Sequence, residues 1–372
     1  MKSFINGKYF WLSTFSLHVL LLILLYIKFG FNFTNEADKY ISIAKGINFQ
    51  NISSQMQDRW AYSTFIFFLA ACFKLGFSLQ VIIFIQYLFC IIGYYCFYKL
   101  IQSQNIFSDT YSKITLFLTL NCPIILFWQL SLFSESFFIS LNLICTYLIF
   151  SSQNNKQILI AFIFCALLLF CRPIGMLFLA ALAYVWLKNK KIKYAILFSV
   201  AAYIFVFIAV LFFLPLHYQD AAIPVLQGSV IWGFPAYPDI LLPNGRYTLA
   251  EIYSLLAQQK GLGIIFELFI KKSISFFTLT RPYYSVFHNV INAVHYVFML
   301  GAGLAMFMNL RMKNEKKLII SFNTLLLISN VILVGLFCNE WSERYIVPLF
   351  PFFIMLFTFS LQKIKERLSL NL

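Results

Sequence analysis

Long uninterrupted runs of apolar residues, each closed by a short polar or basic cluster, recur along the whole sequence. They cover residues 9–31, 61–77, 79–98, 114–127, 136–150, 158–170, 174–187, 194–214, 286–308, 318–337 and 346–361. Within each run the apolar residues are continuous rather than alternating, which is the mark of helices in lipid and not of barrel strands. The run at 9–31 is longer than a secretory signal core. It leaves through Phe29-Gly30-Phe31-Asn32 with no small-residue cleavage site, so it is expected to stay as a first helix. Several runs hold only about 14 residues, roughly 21 Å of helix against a 30 Å hydrocarbon core. Helices that short are expected to border a thinned region or a water-filled cavity.

Composition agrees. Of 372 residues, 61% are hydrophobic, 20% aromatic and only 11% charged, and the mean hydropathy is +0.82. A soluble chain carries about a quarter charged residues. The expected fold is all-α, a polytopic transmembrane bundle of about 10–11 helices forming one integral-membrane domain over residues 1–372. Two connecting segments stand out, at 32–60 and 215–284. The second is long enough to be functional. It contains two amphipathic helical patterns, at 249–256 and 263–277. The eight cysteines are scattered, mostly within apolar runs, and read as packing thiols.

The net charge of +15 is not a nucleic-acid signature, because the basic residues sit between apolar runs. With Lys2 and Lys8 cytoplasmic, and 61–77 interfacial or re-entrant, the cytoplasmic segments collect sixteen basic and three acidic residues, a net of +13. The remainder nets +2. This asymmetry sets the expected orientation. It places Glu36, Asp38, Arg59, Glu135, Arg172, Glu343, Arg344 and the 215–284 segment on the outer side. The cytoplasmic loops are short and lack a phosphate-cradling glycine loop, so nucleotide chemistry has no place there.

Charged residues at a bilayer are costly to keep, which directs attention to these few. Glu36 and Asp38 follow the first helix, and a short helix is expected to begin at Tyr40. A carboxylate here suits a general base for a hydroxyl or amine attacking a sugar carbon; holding a divalent cation is the open alternative. On an ordinary loop the same acids would be plain polar surface. Arg172, between two short apolar runs, needs a partner. A lipid phosphate and the Glu135 carboxylate are equally suitable. Glu135 opens a helix, where an acid also complements the dipole. Arg344 has Glu340 or Glu343 as alternative partners. Arg59, Lys271, Lys272 and Arg281 are expected to meet lipid headgroups. Trp232, Tyr237 and Trp341 read as interfacial anchors or sugar-stacking rings. His288 and His295 lie seven apart on one helix face and are expected against neighbouring helices.

Taken in order, these residues resemble the GT-C fold glycosyltransferases, the superfamily of the protein O-mannosyltransferases and the aminoarabinose transferase of lipid A. Glu36-x-x-x-Tyr40-x-x-x-Ala44 is similar to its first outer loop. Pro123 followed by Ser134-Glu135-Ser136 is similar to its Pro…Ser/Thr-Glu-Ser element. Arg172-Pro173-Ile174-Gly175 looks like its Arg-Pro-x-Gly helix break, and Arg344-Tyr345-x-x-Pro348 with Pro351 like the lead-in to a late helix. The family's usual Asp-Glu pair is Asn35-Glu36 here, which leaves Glu36 and Asp38 as rival bases.

The resemblance implies inverting transfer of a sugar from a polyprenyl-phosphate donor to a glycan, glycolipid or protein acceptor. Catalysis would fall to Glu36 or Asp38, with Tyr40, Arg59, Glu135, Arg172 and Arg344 contacting substrate. It implies no obligatory cofactor or metal, membrane lipids as neighbours and no nucleic acid. The site would face outward from a cytoplasmic, multi-pass membrane with the N-terminus inside. Alternatives are an O-antigen or capsule polymerase using Arg246 and Arg281, and a lipid or polysaccharide flippase or transporter. The last would show inverted repeats, which the sequence lacks.

Overall fold

The computed structural model describes residues 8–31, 36–48, 52–56, 59–152, 154–189, 204, 215–216, 223–231, 233–240, 247–309, 317–337 and 344–370. Nearly all are helical. In chain order the helices are α1 (Lys8–Phe29), α2 (Glu36–Gly46), α3 (Ile52–Met56), α4 (Ser63–Lys74), α5 (Leu79–Ser103), α6 (Asp109–Leu120), α7 (Pro123–Gln129), α8 (Ser134–Ser151), α9 (Asn155–Leu169) and α10 (Gly175–Asn189). After them come α11 (Ile223–Leu226), α12 (Leu249–Lys260), α13 (Gly263–Phe277), α14 (Val286–Asn309), α15 (Lys317–Leu336) and α16 (Phe350–Leu370). A two-residue antiparallel ladder pairs β1 (Pro215–Leu216) with β2 (Tyr247–Thr248).

The fold is that of an all-α polytopic membrane protein. Among the described residues six helices are long and apolar enough to cross a bilayer, or seven if the bent pair α6–α7 is one span. The apolar run at 194–214 lies outside the described residues. The run at 61–77 yields a 12-residue helix after a single 3₁₀ turn at Trp60–Tyr62. That is about 18 Å, too short to cross alone. The run at 114–127 is broken by 53° at Pro123. Proline lacks the N–H that would continue the ladder.

The chain forms two compact units, one of Met1–Gly175, Val294–Ser321 and Pro348–Leu372, the other of Met176–Ala293 and Phe322–Val347. The centre of the first is α8, whose residues are almost all buried although it is long and apolar enough to cross a bilayer. It packs along α5. Close approach is possible because a Cβ at Gly93 of α5 would stand 3.0 Å from the Ser140 Cα of α8. Small residues at a crossing let helices meet backbone to backbone where lipid supplies no hydrophobic drive.

Helix α1 shows the opposite pattern, with most of its large side chains exposed. Its one buried polar ring, His18, sets Nδ1 2.8 Å from the Leu120 carbonyl at the α6–α7 bend and Nε2 2.9 Å from the Tyr87 hydroxyl. A carbonyl can only accept, so Nδ1 carries the proton. Helix α16 is fixed to α6 by Thr358 and Thr115, whose hydroxyl oxygens are 2.6 Å apart. It begins at Phe350 rather than 346, after a 3₁₀ turn at Val347–Leu349. Pro351 is tolerated there because first-turn amides need no helical acceptor.

In the second unit, α11, α12 and α13 enclose a small apolar core of Val225, Leu226, Leu249, Ile252, Leu256 and Leu268. Gly228 turns the chain with φ +64°, and a Cβ there would meet the Tyr237 ring at 2.8 Å. The start of α12 is a full capping box: Thr248 Oγ1 accepts from the Glu251 amide at 3.3 Å, and the Glu251 carboxylate accepts from the Thr248 amide at 2.7 Å.

Gly93→Val is expected to push directly on the α8 backbone and cost about 1–3 kcal/mol. A detergent melting curve would show it. Ile92→Ala, on the adjacent lipid-facing position, should leave the curve unmoved. The Thr248 amide holds the Glu251 carboxyl below the usual carboxylate range. A depressed native pKa stabilises above the unfolded value and is lost as pH falls through the native one. Protection of the first α12 amides, corrected for intrinsic exchange rates, should therefore decline on acidification below roughly pH 4. Glu251→Gln, which has no carboxylate to titrate, should abolish that dependence.

Candidate functional site

The Arg172–Glu135 pair is the chemical centre of the first unit. Arg172 Nη1 is 2.5 Å from Glu135 Oε1, with the two side chains 4% and 0% exposed. The Glu135 carboxylate, one of the two partners open to Arg172 in the sequence, is in contact with it. Ser134 Oγ lies 3.5 Å from the other Glu135 oxygen. Glu135 occupies the first turn of α8, so the helix N-terminus adds a second favourable field to its charge.

The local chain explains the placement of Arg172. Pro173 prevents α9 from continuing, and the Gly175 amide donates to the Arg172 carbonyl at 2.8 Å, closing a turn. A Cβ at Gly175 would stand 2.4 Å from the Leu168 carbonyl oxygen. Only glycine fits, so Arg-Pro-x-Gly is a steric unit that turns the chain and presents the arginine. The start of α8 is held by Gln86 of α5, whose amide donates to the Ser131 carbonyl at 3.0 Å and to Ser136 Oγ at 2.5 Å.

Helix α2 joins this centre through α4. Its buried face is Ala37, Tyr40, Ile41 and Ala44, the i, i+3, i+4, i+7 stripe of an amphipathic helix. Tyr40 meets the rings of Tyr62 and Phe65 at 5.3 and 5.7 Å. Phe68 stacks in turn on Phe137, two residues after Glu135, and Phe65 meets the same ring at a tilt. At the other end of α4's first turn the Thr64 amide donates to the Phe170 carbonyl at 3.0 Å, two residues before Arg172. The acid-bearing helix, the Arg-Pro hinge and the start of α8 thus share one packed layer.

Several expectations change. The helix behind α1 begins at Glu36, not Tyr40, so both acids fall within its first turn. Asp38 is exposed, on the side away from the stripe. The Glu36 side chain lies outside the described residues. Tyr40 is buried among aromatic rings. Arg59 is half-buried, and its backbone closes the turn with Met56 and Tyr62. Arg344 is buried and belongs to the second unit; Glu340, Trp341 and Glu343 lie outside the described residues.

Of the cations expected at headgroups, Lys271 is exposed and paired with Glu267 at 2.5 Å. That carboxylate raises the Lys271 pKa. Lys272 and Arg281 are instead buried. Lys272 follows Ile264 and Leu268 on the inner stripe of α13, with Nζ 5.7 Å from the Tyr253 ring centre. Arg281 donates from Nη2 to the Ser275 carbonyl at 3.0 Å. Tyr237 packs on Gly228, while Trp232 and Arg246 lie outside the described residues. His295 is buried edge-on to Phe350, but His288 is exposed and stacks on Tyr284. Among the described residues no group of three metal-ligating side chains occurs.

Gln86 and His18 escaped the sequence reading. Their signal was present, a single polar side chain inside a long apolar span, where an unsatisfied group costs several kcal/mol. Comparison of the chain with protein families, with curated proteins and with solved structures finds no match.

Removing one partner of the buried pair leaves the other charge unpaired, an expected loss of about 3–5 kcal/mol for Arg172→Met or Glu135→Leu. The double variant should lose much less than the sum, and a double-mutant cycle on melting in detergent reads the difference. Gly175→Ala should destabilise even though alanine is the better helix former, since a backbone carbonyl cannot yield.

Proposed function

We propose that the protein is an integral-membrane glycosyltransferase that moves a sugar from a polyprenyl-phosphate donor to an acceptor at the outer face of the cytoplasmic membrane. The observation carrying this reading is the shared layer: three sequence elements far apart in the chain, Glu36–Ala44, Ser134–Ser136 and Arg172–Gly175, meet through α4. A merely structural hydrophobic bundle has no need to bury an arginine–carboxylate pair beside the helix that carries Glu36 and Asp38.

In this reading the first turn of α2 carries the general base. Glu36 is preferred, because Asp38 faces away from the buried stripe. The base takes the proton from the acceptor hydroxyl or amine as that group attacks the anomeric carbon. The bond from that carbon to the phosphate oxygen breaks, and the polyprenyl phosphate leaves with the electron pair. Arg172, its guanidinium oriented by Glu135, supplies positive charge for that leaving group. Gln86 fixes the start of α8 and so the carboxylate that does the orienting. Gly175 sets the turn that aims Arg172.

The test is transfer by membranes of variants whose folded yield matches wild type. Glu36→Gln should reduce transfer of radiolabelled sugar from polyprenyl phosphate by about 10²–10⁴-fold, with Asp38→Asn within a few-fold of wild type. Full activity in the Glu36, Asp38 double alanine variant rejects the proposal. Loss confined to Arg246→Ala would instead identify a polymerase built on the 215–284 segment.

A further inference from the structure

Helix α13 exposes the wrong chemistry for a segment surrounded by water. Leu262 just before it and Phe266, Ile270 and Ile274 within it recur every four residues on one side, 79%, 70%, 41% and 61% exposed. They form a continuous apolar strip on a 15-residue helix. Its neighbour α12 is the reverse: its exposed positions include Glu251, Ser254, Gln258, Gln259 and Lys260. The hairpin therefore has one side made for water and one that is not.

Its depth follows from where it is tied down. The apolar stretch of α15, Leu318–Leu336, holds 19 residues, about 28 Å of helix, close to the thickness of the hydrocarbon. Its last turn thus ends at a bilayer surface. The hairpin is attached at that turn: the Tyr253 hydroxyl donates to the Leu336 carbonyl, and the Phe269 ring lies where a Cβ on Gly335 would fall, at 2.5 Å. A second attachment joins α13 to the start of α14, the preceding span. Asn289 bonds both the amide and the carbonyl of Arg281 at 2.8 Å, and the Asn292 amide donates to the Leu279 carbonyl at 2.7 Å. Two successive spans return the chain to the side it left, so both anchors mark the same surface.

We infer that α13 is an in-plane membrane element that embeds Leu262, Phe266, Ile270 and Ile274 among acyl chains while α12 stays in water. The occupant of the strip is the bilayer. The exposed side of α14, which opens with Val286 and Phe287, carries the same apolar surface onward into the span. Four large side chains at headgroup depth hold the 215–284 segment against the membrane, whatever reaction the protein performs. Lys271, paired with Glu267 on the flank of the strip, keeps its ammonium at the polar boundary.

The experiment places the photoreactive residue benzoylphenylalanine at Phe266 or at Gln258 in the full-length chain in native membranes. After irradiation, adducts are identified by mass spectrometry and gel shift. Lipid adducts at 266 several-fold above those at 258 are the expected result. A cross-linked second copy at 266, equal lipid labelling at both sites, or no adduct at 266 would each overturn the inference. Neither substitution touches the α2, α8 or Arg172 residues, so failure here leaves the transfer reading standing, and the reverse holds too.

Discussion

A carboxylate and a guanidinium buried together at the mouth of an apolar helix are the constraint around which the first unit is arranged. Taking both charges out of water costs several kcal/mol each before their attraction is counted. The arrangement survives because contact is close, because α8 directs its N-terminus at Glu135, because the Ser134 hydroxyl faces the carboxylate, and because Gln86 holds the start of α8 in place. Each support restricts another element. Gln86 fixes α5 against α8, Gly93 permits the approach, and the Arg-Pro-Ile-Gly turn must end α9 where it does. The helix carrying the acids then docks through α4 onto what is already rigid.

The second unit solves the same problem on a smaller scale. Lys272 and Arg281 lie inside protein rather than among headgroups. Lys272 sits beside an aromatic face, and Arg281 reaches a backbone carbonyl at the end of α13. Cations buried this way make the hairpin of α12 and α13 a defined structure rather than a loop, and its capping box and tight Gly228 turn agree. Rigidity at a bilayer surface suits a segment that must keep one face wet and the other in lipid.

Much of this was legible in the linear pattern. The apolar runs give the helices, because in hydrocarbon every backbone amide must be satisfied within its own segment. The two amphipathic stretches at 249–256 and 263–277 appear as α12 and α13 with starts in place, since Thr248 and the Gly261–Gly263 break are local signals. Arg172-Pro173-Ile174-Gly175 announced its turn for the steric reason found at Leu168. Three-dimensional partnership was not legible. Nothing local separates Lys271 from its neighbour Lys272, yet a rotation of about 100° along the helix puts one in solvent and the other in the core. The 53° bend at Pro123 could be guessed. That a histidine from α1 would serve the exposed carbonyl could not, as the partners are 102 residues apart.

That last clasp bears on how the chain is made. Helix α1 is mostly bare toward its surroundings, and besides ring contacts of Phe10, Trp11 and Phe29 it is the imidazole of His18 that specifies where it stands. At ordinary elongation speeds of about 5–20 residues per second, Leu120 emerges roughly 5–20 seconds after His18. For that interval the ring's Nδ1 proton has no acceptor, although its other partner, Tyr87, is made earlier. The newly made helix must wait in a hydrated passage, or beside a chaperoning surface, until the bend arrives to receive it.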